Sequence, residues 1–241
     1  MSSHLNNQEL TINTVFSIGP LEITNSVVTT WGIMLVLGFV SWLVTRRLSQ
    51  TPGKLQTILE AAVTTIEYAI AEVAPQQAKT LTPFIGSLWV FLVIANLSGL
   101  IPGLHSPTRD LSVTSALAIV VFMSAHWYGI QTQGLKNYLK HYLQPSPILL
   151  PFHLVSEITR TVALAVRLFG NMMSLEMAAL LILLVAGFLA PIPVLLLHII
   201  EALVQAYIFG MLALVYIAGG IQSQQLQQNK NLKNIRGENH D

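Results

Sequence analysis

Seven ionisable side chains lie inside the two long apolar stretches of the C-terminal half of the sequence: His153, Glu157, Arg160, Arg167, Glu176, His198 and Glu201. Carboxylates and imidazoles can bind and release protons, whereas arginine stays protonated at physiological pH. A charge inside a membrane span costs about 2.5–3.5 kcal/mol on insertion scales, and it usually faces protein or a water path. The set predicts a path for protons or another ion. A buried hydrogen-bond network that only holds helices together is the alternative.

Arg167 shares one helical face with several polar residues. At 100° per residue they lie within about 40° of it, and they are His153, Ser156, Arg160, Asn171 and Ser174. The residues three and four positions away are Ala, Leu, Gly and Asn, so no acid is within pairing distance along the helix. A permanent charge without a local partner predicts a partner elsewhere, on another subunit.

Glu157 precedes Arg160 by three residues, a spacing that allows the two side chains to pair along the helix. Such a pair could be purely structural or could belong to an ion path. Glu176 lies about 180° around the helix from Arg167, so we expect it to face a different neighbour.

The last apolar stretch carries a second polar face. Steps of three and four residues place His198, Glu201 and Gln205 on one side of a helix, and Tyr216 continues that side. Together with Glu176 these groups are candidates to line a water-filled access path.

The composition indicates that much of this chain is surrounded by membrane lipid. Of the 241 residues, 53% are hydrophobic and 10% are charged, against roughly 25% charged in soluble domains. The net charge of +1 offers no electrostatic basis for nucleic-acid binding. The sequence contains no cysteine, and we expect no metal site, no cofactor, no phosphate-binding glycine motif and no cleavable signal peptide.

Hydropathy predicts an all-α membrane protein with about five spans, at 27–45, 84–104, 112–130, 148–187 and 192–221. Forty residues of helix would reach about 60 Å against a hydrocarbon core of about 30 Å, so the last two spans should be long and tilted. Residues 52–78 predict an amphipathic interfacial helix, and 135–143 a shorter one. We expect one membrane domain at 26–222, between an N-terminal segment (1–25) and a tail (223–241).

The distribution of basic residues predicts the topology. With five spans and the N-terminus outside, the cytoplasmic segments hold nine of the 12 Lys and Arg residues, and the outside holds only Arg109. This asymmetry follows the positive-inside rule, so the C-terminal tail is predicted to be cytoplasmic. The expected location is a bacterial inner membrane or a thylakoid-type energy-transducing membrane.

The sequence reads RLFGNMMSLEM at Arg167 and HIIEALVQAYIF around Gln205. With TPGKLQTILE after the first span, FLVIANLSGLIPG in the second and PTRDLSVTSALA at the third, it resembles subunit a of the F-type ATP synthases over about 25–222. By this resemblance Arg167 takes the place of the family's essential arginine. Asn171, Glu176 and Gln205 match its companions, and His198 matches a variable polar position.

The resemblance implies a non-catalytic stator subunit of a rotary complex. Its partners would be a ring of c subunits, each with a membrane carboxylate, and b-type peripheral stalk subunits. Two half-channels would carry protons or sodium to and from the ring, coupled to ATP synthesis or hydrolysis in a soluble sector. Glu176, His198 and Glu201 would line the outer half-channel, and His153, Ser156, Glu157 and Arg160 the inner one.

Some positions depart from the family pattern. Arg109 stands where many relatives have a small residue, Thr161 stands where many have proline, and MMSLEM, Glu201 and His126 are also unusual. They suggest the divergent N-type branch, some members of which are thought to use sodium. Two other classes are alternatives: a secondary transporter, for which we find no internal repeat, and a structural anchor. For Asn96 and Asp110 structural hydrogen bonding is expected, with an outer-channel role for Asp110 as the alternative.

Overall fold

A computed structural model describes residues 14–18, 21–46, 53–101, 104–134, 150–186 and 191–237. Two short strands, β1 (Thr14–Ile18) and β2 (Leu21–Thr24), pair antiparallel. The helices are α1 (Asn25–Thr45), α2 (Lys54–Val73), α3 (Ala78–Leu97), α4 (Leu111–Gln133), α5 (Leu150–Ala186) and α6 (Pro191–Gly237). Short 3₁₀ turns at Ser98–Leu100 and Pro107–Arg109 lie between α3 and α4. The all-α class is confirmed, with a small N-terminal hairpin that the sequence did not predict.

Five helical segments within these ranges are long and apolar enough to cross a membrane: Asn25–Thr45, Ala78–Leu100, Leu111–Gln131, Pro151–Val185 and Ile192–Ile221. They correspond to the five predicted spans. The second begins at Ala78, six residues before the predicted start at 84, and runs through Pro83. A proline near the start of a membrane helix frees a single carbonyl, which neighbouring groups can satisfy.

The core lies where α3, α4, α5 and α6 pack together, and α2 packs against α3. α1 has no buried residue, and most of its large apolar side chains are exposed, as expected of a lipid-facing helix. The predicted amphipathic helix is present as α2, shorter than 52–78, and it buries Ile70 against the core.

A glycine lets α3 and α6 approach closely. Trp89 of α3 stacks on Tyr207 with ring centroids 5.8 Å apart, and its indole N–H donates to the Tyr207 carbonyl at 3.4 Å. A Cβ on Gly210 would lie 1.7 Å from the indole nitrogen, so only glycine fits beneath the ring. Small residues at helix contacts are the usual device for close packing in lipid.

The last two helices are long, as predicted. α5 has 37 residues and α6 has 47, or about 56 Å and about 70 Å of helix. α5 continues through Thr161, whose hydroxyl donates to the Glu157 carbonyl at 2.9 Å. α6 extends into the segment that we predicted as a tail, to Gly237, while the helix predicted at 135–143 lies outside the described residues.

Candidate functional site

The face of α5 that carries Arg167 is largely exposed. His153, Ser156, Arg160, Arg167 and Ser174 are all exposed. Leu164, Leu168 and Met172, on the other side of the helix, are buried in the core. The polar stripe predicted from helical spacing therefore lies on the outer surface of α5, except for Asn171, which is half-buried.

Arg167 lines an open cleft of about 310 Å³ between α5 and α6. The other lining residues are Arg160, Ala163, Leu164, Leu212, Val215 and Tyr216. In the described part of the chain, Arg167 forms neither a side-chain hydrogen bond nor an ion pair. A guanidinium so placed cannot face lipid without a large cost, so this surface requires a protein or water neighbour.

Glu176 faces the segment between α3 and α4, on the opposite side of α5. Its Oε2 lies 2.8 Å from Nη1 of Arg109, and its Oε1 accepts from the backbone N–H of Ser106 at 3.2 Å. The Glu176 side chain is 13% exposed and that of Arg109 is 21% exposed. The angular prediction that Glu176 faces a different neighbour is confirmed.

A buried hydrogen-bond network lies beside this ion pair. Asn96 donates to the Ala202 carbonyl at 3.1 Å and accepts from the Thr108 hydroxyl at 2.7 Å. The Thr108 hydroxyl also lies 2.7 Å from that of Ser106. The network ties the α3–α4 connection to α6, and it confirms the structural role expected of Asn96.

Asp110 caps the first turn of α4. Its carboxylate accepts from the backbone N–H of Ser112 at 2.9 Å, from the Ser112 hydroxyl at 2.7 Å and from the Thr24 hydroxyl at 3.4 Å. An acid at this position satisfies otherwise unpaired N–H groups and complements the helix dipole. The structural reading of Asp110 is confirmed, and the cap also ties β2 to α4.

The polar face of α6 turns inward. Gln205 is buried, and its Oε1 accepts from the Asn171 amide at 2.7 Å. His198 is buried, whereas Glu201 is half-buried. Within the described residues, the Nε2 atoms of His198 and Gln205 are buried without a hydrogen-bond partner. Buried polar nitrogens of this kind are costly in an apolar setting and usually have a hydrogen-bond partner.

One pair that the helix spacing allows is not formed. Glu157 does not pair with Arg160: its Oε2 lies 3.4 Å from Nε2 of His126, on α4. Arg160 places its guanidinium over the Tyr216 ring, 5.1 Å from the centroid. The helix spacing permits the pair, but the neighbouring helices offer both side chains partners nearer the core.

Comparison with known proteins identifies the family. The model of the ATP synthase A chain family matches residues 27–218. The chain belongs to the ATP synthase subunit a family. It is 63% identical over 219 residues to ATP synthase subunit a 2 of Pelobacter propionicus, covering 91% of this chain and 96% of that one.

Two further relatives belong to the same family. ATP synthase subunit a 1 of Hahella chejuensis is 69% identical over 205 residues, covering 85% of this chain and 87% of the relative. ATP synthase subunit a of Legionella pneumophila strain Philadelphia 1 is 57% identical over 213 residues, covering 88% and 93%. Together with the five apolar helices, the match assigns a multi-pass subunit of the membrane sector of the ATP synthase complex, which acts in ion translocation. Nothing in it supports the secondary-transporter alternative.

The sequence did not predict the partners of Glu176. In the sequence Arg109 is only a departure from the family pattern, and nothing there points to Ser106. The available signal was that Arg109 is the single basic residue on the predicted outer side. A lone outer cation and an unpaired acid near the outer end of a span suggest a pair, although helical angles alone do not relate residues on different elements.

Proposed function

We propose that the Arg167 face of α5 packs against a ring of c subunits and controls the charge of the ring carboxylates. The observation that carries this proposal is an exposed guanidinium without a partner in the described part of the chain, on a helix whose opposite face is buried. A ring carboxylate that faces lipid must be neutral, with a proton or a cation bound. Near Arg167 the ionised form is favoured, so the ion is released there.

The same charge separates two access paths. A fixed positive charge repels cations that would pass directly between the paths. Each elementary charge crossing 100 mV yields about 2.3 kcal/mol, and rotation of the ring would transmit this energy to a soluble sector. In this scheme the subunit breaks no bond itself. The partners it requires are the c-ring and b-type peripheral stalk subunits.

We assign the outer path to Glu176, His198 and Glu201. Asn171 and Gln205 lie at the inner end of this path. Support comes from the buried polar nitrogens of His198 and Gln205 and from the Asn171–Gln205 hydrogen bond, 34 residues apart in sequence. The inner path is assigned to a second set of residues nearer the start of α5: His153, Ser156, Glu157 and Arg160. The N-terminus is placed outside and the C-terminus in the cytoplasm, from the distribution of basic residues.

The decisive test is ATP-driven ion uptake in inverted membrane vesicles that hold the complete complex. Arg167→Ala should abolish coupled uptake, whereas passive permeability after removal of the soluble sector should remain, because the barrier charge is gone but the paths are intact. Val166→Ala, next to it and 52% exposed, is the matched control and should pump normally. Normal pumping by Arg167→Ala would overturn the proposal.

The path residues can be tested in the same vesicles. Glu176→Ala and Glu157→Ala should each lower the passive permeability, since each removes a polar group from one of the two paths. If neither variant changes it, the residue assignment is lost, while the role of Arg167 still depends on its own result.

A further inference from the structure

The carboxylate of Glu176 is held by groups from the short segment between α3 and α4. Arg109 donates to one oxygen at 2.8 Å, and the Ser106 backbone N–H donates to the other at 3.2 Å. His105 is the other ionisable group near it among the described residues, with Nδ1 at 4.0 Å. Gly99 leaves space, because a Cβ there would lie 3.1 Å from Oε1 of Glu176.

The environment of the Glu176 carboxylate differs from that of a carboxylate that is free to bind an ion. Both members of the Arg109–Glu176 pair are largely enclosed, so solvent screens their attraction less than that of a surface pair. An incoming cation must therefore compete with the guanidinium for the carboxylate. No other candidate path residue within the described ranges lies in an ion pair with an arginine.

The position of Arg109 in the chain also limits how its guanidinium can move. It ends the 3₁₀ turn that precedes Asp110, the cap of α4, and Thr108 of the same turn is bonded to Asn96. The backbone of Arg109 is thus anchored on both sides. The guanidinium can move off Glu176 only by a side-chain rotation, which is compatible with repeated exchange during turnover.

We propose that Arg109 is a positioning residue of the outer path, which holds the Glu176 carboxylate toward the α3–α4 segment and competes with the translocated cation for it. Removal of the positive charge strengthens the attraction of the carboxylate for the cation. Arg109 thereby sets the outer ion concentration at which the path is half-saturated. The proposal rests on the proposed function, in which Glu176 belongs to the outer path, and it deepens that function by adding a residue that sets ion affinity.

The test uses the complete complex in proteoliposomes, with ATP synthesis measured against the concentration of the coupling ion on the extracytoplasmic side. Arg109→Ala should lower the half-saturating ion concentration by about threefold to fivefold, the upper part of the range expected for an exposed ion pair. The maximal rate should fall as well, because release toward the ring becomes slower. Arg109→Lys keeps the charge and should return the half-saturating concentration to within about twofold of the parent value.

A double-mutant cycle separates positioning from general damage. In a Glu176→Gln background, Arg109→Ala should no longer shift the half-saturating concentration, because Arg109 acts through the carboxylate. Arg109→Gln retains hydrogen-bond donors without the charge, and it serves if the alanine variant fails to assemble. Lys54→Gln removes a positive charge from α2 and should leave the curve unchanged.

An unchanged half-saturating concentration in Arg109→Ala and Arg109→Gln would overturn the proposal. So would a shift that persists in the Glu176→Gln background, or failure of Arg109→Lys to restore the parent value. These outcomes are independent of Arg167→Ala, whose continued pumping would overturn the proposed function instead.

Discussion

Two charges on α5, nine residues apart, have opposite surroundings. Arg167 is exposed beside an open cleft and has no ion-pair partner within the described residues. Glu176, about half a turn away around the helix axis, is 13% exposed and is bound by Arg109 and Ser106 of the same chain. One charge is left for a group outside the chain, and the other is satisfied within it.

The contrast shows how a single helix can serve two purposes. A charge satisfied internally fixes structure, since its removal leaves a partner unpaired. A charge left unsatisfied adds nothing to the stability of its own chain, so its presence has to be explained by what it meets in the complex. Mutations of the two charges should therefore differ in their cost to stability, although both charges belong to the proposed function.

The largest expected difference in stability is between Glu176→Ala and Arg167→Ala. Glu176→Ala leaves Arg109 enclosed and unpaired, and it should cost about 3 kcal/mol, at the lower end of the range for a broken buried pair because the pair is partly exposed. Arg167→Ala should cost close to zero in the chain itself. Heating the detergent-solubilised complex and comparing the temperatures at which this chain aggregates would rank the two variants.

A variant that removes both charges of the Arg109–Glu176 pair is the control for this comparison of stabilities. A Glu176→Ala, Arg109→Ala double variant removes both charges and should be more stable than Glu176→Ala alone. If Arg167→Ala were the more destabilising of the two single variants, the contrast between the two faces would be refuted.

A smaller effect should distinguish apolar neighbours on the two faces. Leu168 is fully buried, whereas Val166, two residues earlier, is 52% exposed. Leu168→Ala should cost about 2 kcal/mol, the low end for a buried leucine, because lipid is as apolar as the core and only the packing loss remains. Val166→Ala should be nearly neutral in the same heating experiment. Equal losses would mean that the Val166 side is also packed inside the chain.

The sequence predicted the elements well and their mutual contacts poorly. Runs of apolar residues predict spans in the correct order, because lipid forces every backbone group to be satisfied within a helix. The exposed stripe around Arg167 also followed from periodicity. The hairpin at Thr14–Thr24 did not, since short strands carry little periodic signal.

Contacts between helices required the structure. Spacing along one helix is visible in a sequence, and it allows a Glu157–Arg160 pair that is not formed. The real contacts, Glu157 with His126 and Glu176 with Arg109, join residues 31 and 67 positions apart. Periodicity gives the direction of a side chain on its own helix, but it does not give the rotation of the neighbouring helix that decides which partner it meets.

The smallest effect concerns the boundary between the two faces, where Asn171 donates to Gln205 at 2.7 Å. In lipid such a hydrogen bond contributes on average about 0.6 kcal/mol and at most about 1.7 kcal/mol in double-mutant cycles. The cycle of Asn171→Ala, Gln205→Ala and the double variant should therefore give a coupling in this range, measured by denaturant titration of the detergent-solubilised protein. Because Gln205 has a buried nitrogen without a partner in the described residues, Gln205→Ala should cost less than the bond geometry alone suggests. A coupling of zero would show that Asn171 bonds to another group in the assembled complex, and it would move this residue to the Arg167 side of the comparison.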